Sequence, residues 1–216
     1  MPILYSYFRS SSSFRVRIAL ALKAIPYEQR YINLKPDVSE QYYPDFLSLN
    51  PQGRVPVWVD DTVHLSQSAA ILEYLEEAYP GKSLLPESHE KRAWVRQLVN
   101  IIACDIQPLN NISVLTFLKR EYQLDQTAVN HWYAHWIEQG FDAIERWLVT
   151  ASHEGPYVLG EEVTLADLYL IPQVWNAHRF QVPLSAYPRI ERIYNDCMMQ
   201  PAFMAASPEE QGDTVG

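Results

Sequence analysis

PILYSYFRSSSSFRVRIALALKAIPYEQRYIN, residues 2–33, sets one helical run between two strand-like runs, and its reading decides the fold. Residues 2–8 are continuous, aromatic and β-branched, which predicts a short buried strand. From Phe14 the apolar residues fall at Phe14, Ile18, Ala21, Leu22 and Ile25, the one-sided stripe of a helix. Pro26 stops that helix, and YEQRYIN (27–33) predicts a second strand. Strand, helix and strand at this length make a βαβ unit, whose crossover is nearly always right-handed. Arg9, Arg15 and Arg17 crowd the serine run; Arg17 is expected to cover the helix surface and meet exposed carboxylates.

The pattern extends outward from there. Lys35 to Asn50 is polar and broken by Pro36 and Pro44, so it predicts a loop with a short irregular helix. VPVWVDDTVHLSQSAAILEYLEEAY (55–79) predicts strands at 57–60 and 62–65 joined at Asp60 and Asp61, then a helix. That helix turns Ile71, Leu75 and Ala78 inward and Glu73, Glu76 and Glu77 outward. The first eighty or so residues therefore spell β-α-β-α-β-β-α. Pro80, Gly81 and Pro86 mark a linker. Everything beyond is helical in period: a segment over 89–118 bent at Pro108, and a helix from Thr127 to Val149 carrying Trp132, Trp136 and Trp147. After the loop SHEGPYVLG, Thr164 and Asp167 form a capping box ahead of an apolar run. A last helix covers about 187–199. The expected domains are 1–82 (α/β), a linker at 83–88, and an all-α domain over 89–206. The tail SPEEQGDTVG (207–216) is expected to be disordered from its composition.

Bulk composition narrows the function classes. With 216 residues and 48% hydrophobic content the chain can bury a sizeable core. A formal charge of −9 argues against nucleic acid as the main partner, although a local arginine cluster can still bind a small anion. There is no apolar run long enough for a membrane span, and MPILYSYFRS has no basic region leading into an apolar core, so secretion is not expected. Two cysteines are too few for a disulfide framework and suggest a reducing cytoplasm. Cys104 reads as a small buried hydrophobe. His131 and His135 stand one helical turn apart, but no third ligand is patterned with them, so no metal is expected.

Two readings of Ser10–Ser13 compete. In the plain one, Ser12 or Ser13 caps the helix and the other serines fill the loop. In the functional one, the helix opening presents unpaired N–H groups and a partial positive charge that stabilise a thiolate, while a hydroxyl donates a hydrogen bond to it. A free thiol ionises at about pH 8.5, so lowering its pKa by one or two units gives much thiolate at neutral pH.

The element order, the Val-Pro before the hairpin, the Gln-Ser at the next helix and the Thr-Leu-Ala-Asp cap resemble the cytosolic glutathione transferase fold: a thioredoxin-like α/β domain followed by an all-α domain. RSSSSFRVRIAL (9–20) resembles the signature of the zeta class, and IQPLNNISVL (106–115) and HRFQVPLSAYP (178–188) are similar to two further segments of it. Ser12 stands where many members have cysteine. The resemblance implies glutathione as cofactor and a glutathione-dependent cis–trans isomerase that converts maleylacetoacetate to fumarylacetoacetate in tyrosine and phenylalanine breakdown. The reaction would run by reversible thiolate addition to the cis double bond. It also implies a homodimer. Carried over by position, Ser10, Ser11 and Ser12 are the catalytic candidates, with Ser10 the donor to sulfur. Ser13, Phe14, Arg15, Gln41, Val55, Gln67, Ser68, Gln107, Asn111, Ile112 and Ser113 join them as glutathione contacts. Val55-Pro56 resembles the family's cis-proline. Arg9 and Arg179 are the candidates for gripping a dicarboxylate substrate. Some maleylpyruvate isomerases carry arginine where Ile112 stands, which tilts the reading towards maleylacetoacetate. Maleylpyruvate isomerisation, a transferase acting on haloacids or hydroperoxides, and a non-enzymatic protein-binding member of the fold stay open.

Overall fold

The computed structural model describes residues 1–151 and 154–214 and divides the chain into two units. One comprises Met1–Ser83 together with the stretch from Met199, the other Leu84–Met198. The first unit runs β1 (Ile3–Ser6), α1 (Ser11–Leu22), β2 (Glu28–Tyr31), a 3-10 turn (Glu40–Tyr42), α2 (Pro44–Leu49), β3 (Val57–Val59), β4 (His64–Ser66) and α3 (Ser68–Ala78). This is the expected β-α-β-α-β-β-α order. The sheet order is β2-β1-β3-β4. β1 pairs in parallel with β2, Ile3 against Glu28, and antiparallel with β3, Ile3 against Val59. β3 and β4 form the hairpin, Val57 against Ser66.

That hairpin is held by one carboxylate. Asp60 accepts from the Trp58 indole at 3.0 Å, the N–H groups of Thr62 and Val63, and the hydroxyls of Tyr74 and Tyr79 at 2.8 and 3.0 Å. Burial pulls the carboxyl up, but these donors outweigh it and hold Asp60 well below the usual carboxylate range. The far ends of α1 and α3 are tied by Lys23, which meets Glu76 at 3.1 Å and the Tyr79 carbonyl at 3.4 Å. Glu76 therefore does not stand outward as expected. Ile71, Leu72 and Leu75 face the core of α3, whereas Ala78 is exposed.

α1 departs from its apparent one-sided stripe. It begins at Ser11, and Ser11 and every residue from Ser13 to Leu20 are buried. The cause is the C-terminus: α9 (Pro201–Ala206) packs on α1, and a 3-10 turn (Pro208–Glu210) follows. Arg17, expected on the surface, is 1% exposed. Its Nε donates to the Ala206 carbonyl (2.9 Å), Nη1 to Ser6 Oγ (3.0 Å) and the Tyr7 carbonyl (3.5 Å), and Nη2 to the Phe8 carbonyl (3.2 Å). Burial pulls this guanidinium down to about 10, so it stays charged at neutral pH. Disorder over 207–216 does not hold either for the described residues. Ser207 and Gln211 are buried, and the polar groups that suggested disorder find fixed partners on β2 and around β1. Residues 215–216 lie outside the described residues, as do 152–153 of the expected loop.

The second unit is helical: α4 (His89–Asn100), a π-helical stretch (Ile101–Ile106), α5 (Ile112–Glu121), α6 (Gln126–Ala151), α7 (Leu165–Arg179) and α8 (Pro188–Met198). The expected single bent segment over 89–118 is thus two helices. The π-helical stretch ends α4, Pro108 has no N–H to continue the ladder, and Asn111 caps a new helix by accepting Ser113 N–H at 3.0 Å. Gly140 lets α6 approach the π-helical stretch; a Cβ there would lie 2.2 Å from Ile106 Cδ1. The capping box of α7 is present. Asp167, fully buried, accepts from Thr164 N–H (2.7 Å), Thr164 Oγ1 (3.2 Å) and Val158 N–H (2.8 Å). Glu145 does the same for α8, accepting Arg189 N–H at 2.9 Å and Ile190 N–H at 3.0 Å. Cys104 is exposed, not buried. No described helix is long and apolar enough to cross a membrane.

Candidate active site at the opening of the first helix

β1 ends at Ser6, and the chain turns through Tyr7–Ser10, closed by Ser10 N–H to the Tyr7 carbonyl at 3.0 Å. Tyr7 and Phe8 are buried in a cluster with Phe46, Val55 and Val57, so the turn is packed from below. Ser10, rather than Ser12 or Ser13, is the N-cap: its backbone is extended (φ −76°, ψ 111°) and its Oγ accepts Ser13 N–H at 3.1 Å. The two readings of the serine run therefore coexist. A hydroxyl that accepts the capping bond keeps its own hydrogen to donate, and the accepted bond polarises it. Ser11 and Ser12 stand in the first turn, whose N–H groups have no intrahelical acceptor.

A second helix opening belongs to the same unit. Gln67 precedes α3 with φ +71° and ψ +114°, outside the regions ordinary residues favour and costing about 1–3 kcal/mol. Its side chain is exposed and donates to Gln52 Oε1 at 2.7 Å. Ser68 Oγ accepts from Arg15 Nη1 at 3.3 Å. Arg15 is 2% exposed, so its charge supports the α3 opening from beneath. Sequence separation hid this pairing. The Val55–Pro56 bond is cis. Gln41 is buried, and its Oε1 has no protein partner.

Not every expected contact reaches a surface. Ser13 and Phe14 are fully buried, because α1 is covered all round from Ser13 to Leu20; their side chains belong to the core. Arg9 is exposed, with its guanidinium 4.8 Å from the Phe8 ring centroid. The remaining candidates lie in the second unit. Gln107 precedes Pro108, Asn111 and Ser113 are joined at the α5 cap (Oγ to Oδ1, 2.8 Å), and Ile112 is 45% exposed. Arg179 ends α7, 5.1 Å from the Phe180 ring centroid, and lines a cavity of about 320 Å³ with Gln126, Asn130, Phe180 and Gln181. Gln126 and Asn130 escaped sequence reasoning; their signal was one-turn spacing on α6, where Gln126 Nε2 donates to Asn130 Oδ1 at 2.7 Å.

Two helix openings, a buried arginine behind one of them, and a buried amide with an unused acceptor suit an anionic, peptide-like thiol. Glutathione fits that description.

Comparison with known proteins agrees with this chemistry. Residues 2–77 match the N-terminal domain of glutathione S-transferases and residues 130–196 the C-terminal domain. The chain is 46% identical over 212 residues to a maleylacetoacetate isomerase of Pseudomonas aeruginosa, covering 98% of each. It superposes with a TM-score of 0.94 on a bacterial maleylpyruvate isomerase, a zeta-class glutathione S-transferase in holo form, at 43% identity over 98% of this chain and 99% of that one. A maleylacetoacetate isomerase of Methylobacterium extorquens AM1, solved with bound malonate and glutathione, superposes at 0.92 with 38% identity over 97% of each chain.

Proposed function

The chain belongs to the zeta class of the glutathione S-transferase family, and on that premise we propose that it is a glutathione-dependent cis–trans isomerase acting on maleylacetoacetate. The observation that carries the reading is Ser10 at the N-cap of α1, its Oγ engaged as acceptor and its hydrogen left to donate. Bound glutathione supplies a thiol whose ionised form adds reversibly to a conjugated cis double bond and leaves it trans.

The chain's own residues do the rest. Ser10 donates a hydrogen bond to the sulfur, and the N–H groups of Ser11 and Ser12 add positive potential at the same opening. The Val55 backbone pairs with the peptide. The α3 opening at Gln67 and Ser68, backed by Arg15, holds a carboxylate, and the Gln41 Oε1 accepts a peptide N–H near the other end of the tripeptide. Gln107, Asn111, Ile112 and Ser113 contribute from the helical unit. Arg9 and Arg179 grip the carboxylates of the substrate, a role supported by the malonate bound to the Methylobacterium extorquens relative. Ile112 in place of arginine favours maleylacetoacetate over maleylpyruvate. The protein acts as a cytoplasmic homodimer, a reading supported by its class.

Purified protein with glutathione is expected to isomerise maleylacetone faster than maleylpyruvate, measured by the loss of the cis chromophore. Faster turnover of maleylpyruvate would transfer the assignment to the sister reaction. A chloroacid rate above both would make the protein a conjugating transferase. No turnover, with no retention on immobilised glutathione, would make it a binding protein.

A further inference from the structure

The C-terminal stretch that closes over α1 also reaches the turn that carries Ser10. Asp213 Oδ2 accepts Phe8 N–H at 3.0 Å, across 205 residues of sequence. The Phe8 carbonyl, on the next peptide, receives Arg17 Nη2 at 3.2 Å, and the Tyr7 carbonyl receives both Ser10 N–H and Arg17 Nη1. The polar groups of the turn are thus held from two sides. Arg17 holds them from α1, with its Nε on Ala206 of the C-terminal stretch. Asp213 holds them from that stretch itself.

The stretch is anchored independently of the turn. Gly212 N–H donates to the Tyr31 hydroxyl at 3.0 Å, and a Cβ at Gly212 would lie 2.8 Å from that oxygen. Gln211 accepts from Gln29 at 3.0 Å and donates to the carbonyls of Ala205 and Ser207. Asp213 therefore arrives at a fixed height on β2. Its other oxygen, Oδ1, is buried without a hydrogen-bond partner. A buried carboxylate oxygen left unsatisfied is a cost to stability, and such breaches of local preference collect where position matters to function. Burial raises the Asp213 carboxyl, and the bond from Phe8 N–H, with a smaller contribution from the Arg17 charge, opposes that rise.

We propose that residues 201–213 form a strap that positions the thiol-activating turn, with Asp213 the positioning residue that fixes Phe8 and, two residues on, the Ser10 hydroxyl. The strap touches neither substrate nor glutathione; it acts through the backbone of residues 7–10. This inference rests on the assignment of Ser10 as donor to the glutathione thiol, so the test separates the two.

The full chain is compared with Asp213→Ala, Asp213→Asn and a chain ending after Glu210. Three quantities are read: the pKa of the bound glutathione thiol from ultraviolet thiolate absorbance, kcat and KM against pH, and amide exchange at Phe8–Ser13. In Asp213→Ala and the shortened chain the thiol pKa and the acid limb of the kcat profile rise by about one pH unit, while KM for glutathione changes by less than about twofold. Amide exchange at Phe8 accelerates in both. Asp213→Asn keeps an acceptor oxygen for Phe8 N–H and stays close to the unchanged protein. Superimposable profiles, with only thermal stability lowered, would overturn the proposal and leave the strap a structural cover. Should the unchanged protein itself show no lowered thiol pKa, the Ser10 assignment fails instead. The exchange measurement then decides for the strap: faster exchange that extends from Phe8 to Ser10 supports it, and a change confined to Phe8, or none, overturns it.

Discussion

Ser10→Ala lowers isomerase turnover by about a hundredfold or more, the usual effect of removing one preorganised donor, while glutathione still binds. The same change removes a helix cap worth about 1 kcal/mol, so a fall in stability is expected beside the loss of turnover. Ser10→Gly separates the two effects. Glycine at an N-cap costs only a few tenths of a kcal/mol relative to serine (roughly 0.3), yet it lacks the hydroxyl entirely. Both variants should therefore lose turnover alike while only alanine lowers the melting temperature appreciably. Steady-state rates, calorimetric titration with glutathione and thermal melts measure the three quantities. Turnover retained in both variants would move the donor role to Ser11 or Ser12.

The largest effect on stability is expected from Arg17→Met. Methionine keeps the apolar stem but abandons the Ala206, Tyr7 and Phe8 carbonyls and the Ser6 hydroxyl, all in buried surroundings. Each buried acceptor left without its donor costs about 1–3 kcal/mol, and the four together on the order of 3–5 kcal/mol once the site relaxes, since the Tyr7 carbonyl keeps Ser10 N–H. In a chain of this size that corresponds to a fall in melting temperature on the order of 10 °C. Arg17→Lys restores charge but not the fork that reaches four oxygens at once, and should recover only part of the loss. A melting temperature within about 2 °C of that of the unchanged protein would show that Arg17 is not the tie between the strap and β1.

Much of the fold was legible because its signals are local. Pro26 and the Pro80–Gly81 pair stop helices wherever they stand, the hairpin announces itself by the two acids between apolar runs, and Thr164 with Asp167 spells a cap within four residues. What failed was long-range. α1 reads as a one-sided helix because nothing in residues 11–22 reveals that α9 will cover its other side. Arg17 looks like a surface residue until Ala206, 189 positions away, supplies a carbonyl. SPEEQGDTVG has the composition of a loose tail, yet individual bonds from Gln211, Gly212 and Asp213 to β2 and Phe8 fix it. Composition averages over residues; these three act singly.

The site divides the same way. The serine run was visible because helix capping and thiolate stabilisation use the same residue type at the same place, although the cap proved to be Ser10, the first of the four. The Arg15–Ser68 bond, spanning 53 residues, needed the fold. The break between α4 and α5 was half visible. Pro108 marked it, but the buried Leu98, Val99, Ile102 and Ile106 stand three or four apart as on an ordinary helix, so nothing in 101–106 announces the π-helical turn.

The most direct measurement is a crystal structure of the protein with glutathione bound. The account predicts the sulfur within hydrogen-bond reach of Ser10 Oγ, at about 3.0–3.5 Å, facing the first N–H groups of α1. A tripeptide bound in the same unit with its sulfur turned away from Ser10 would contradict it.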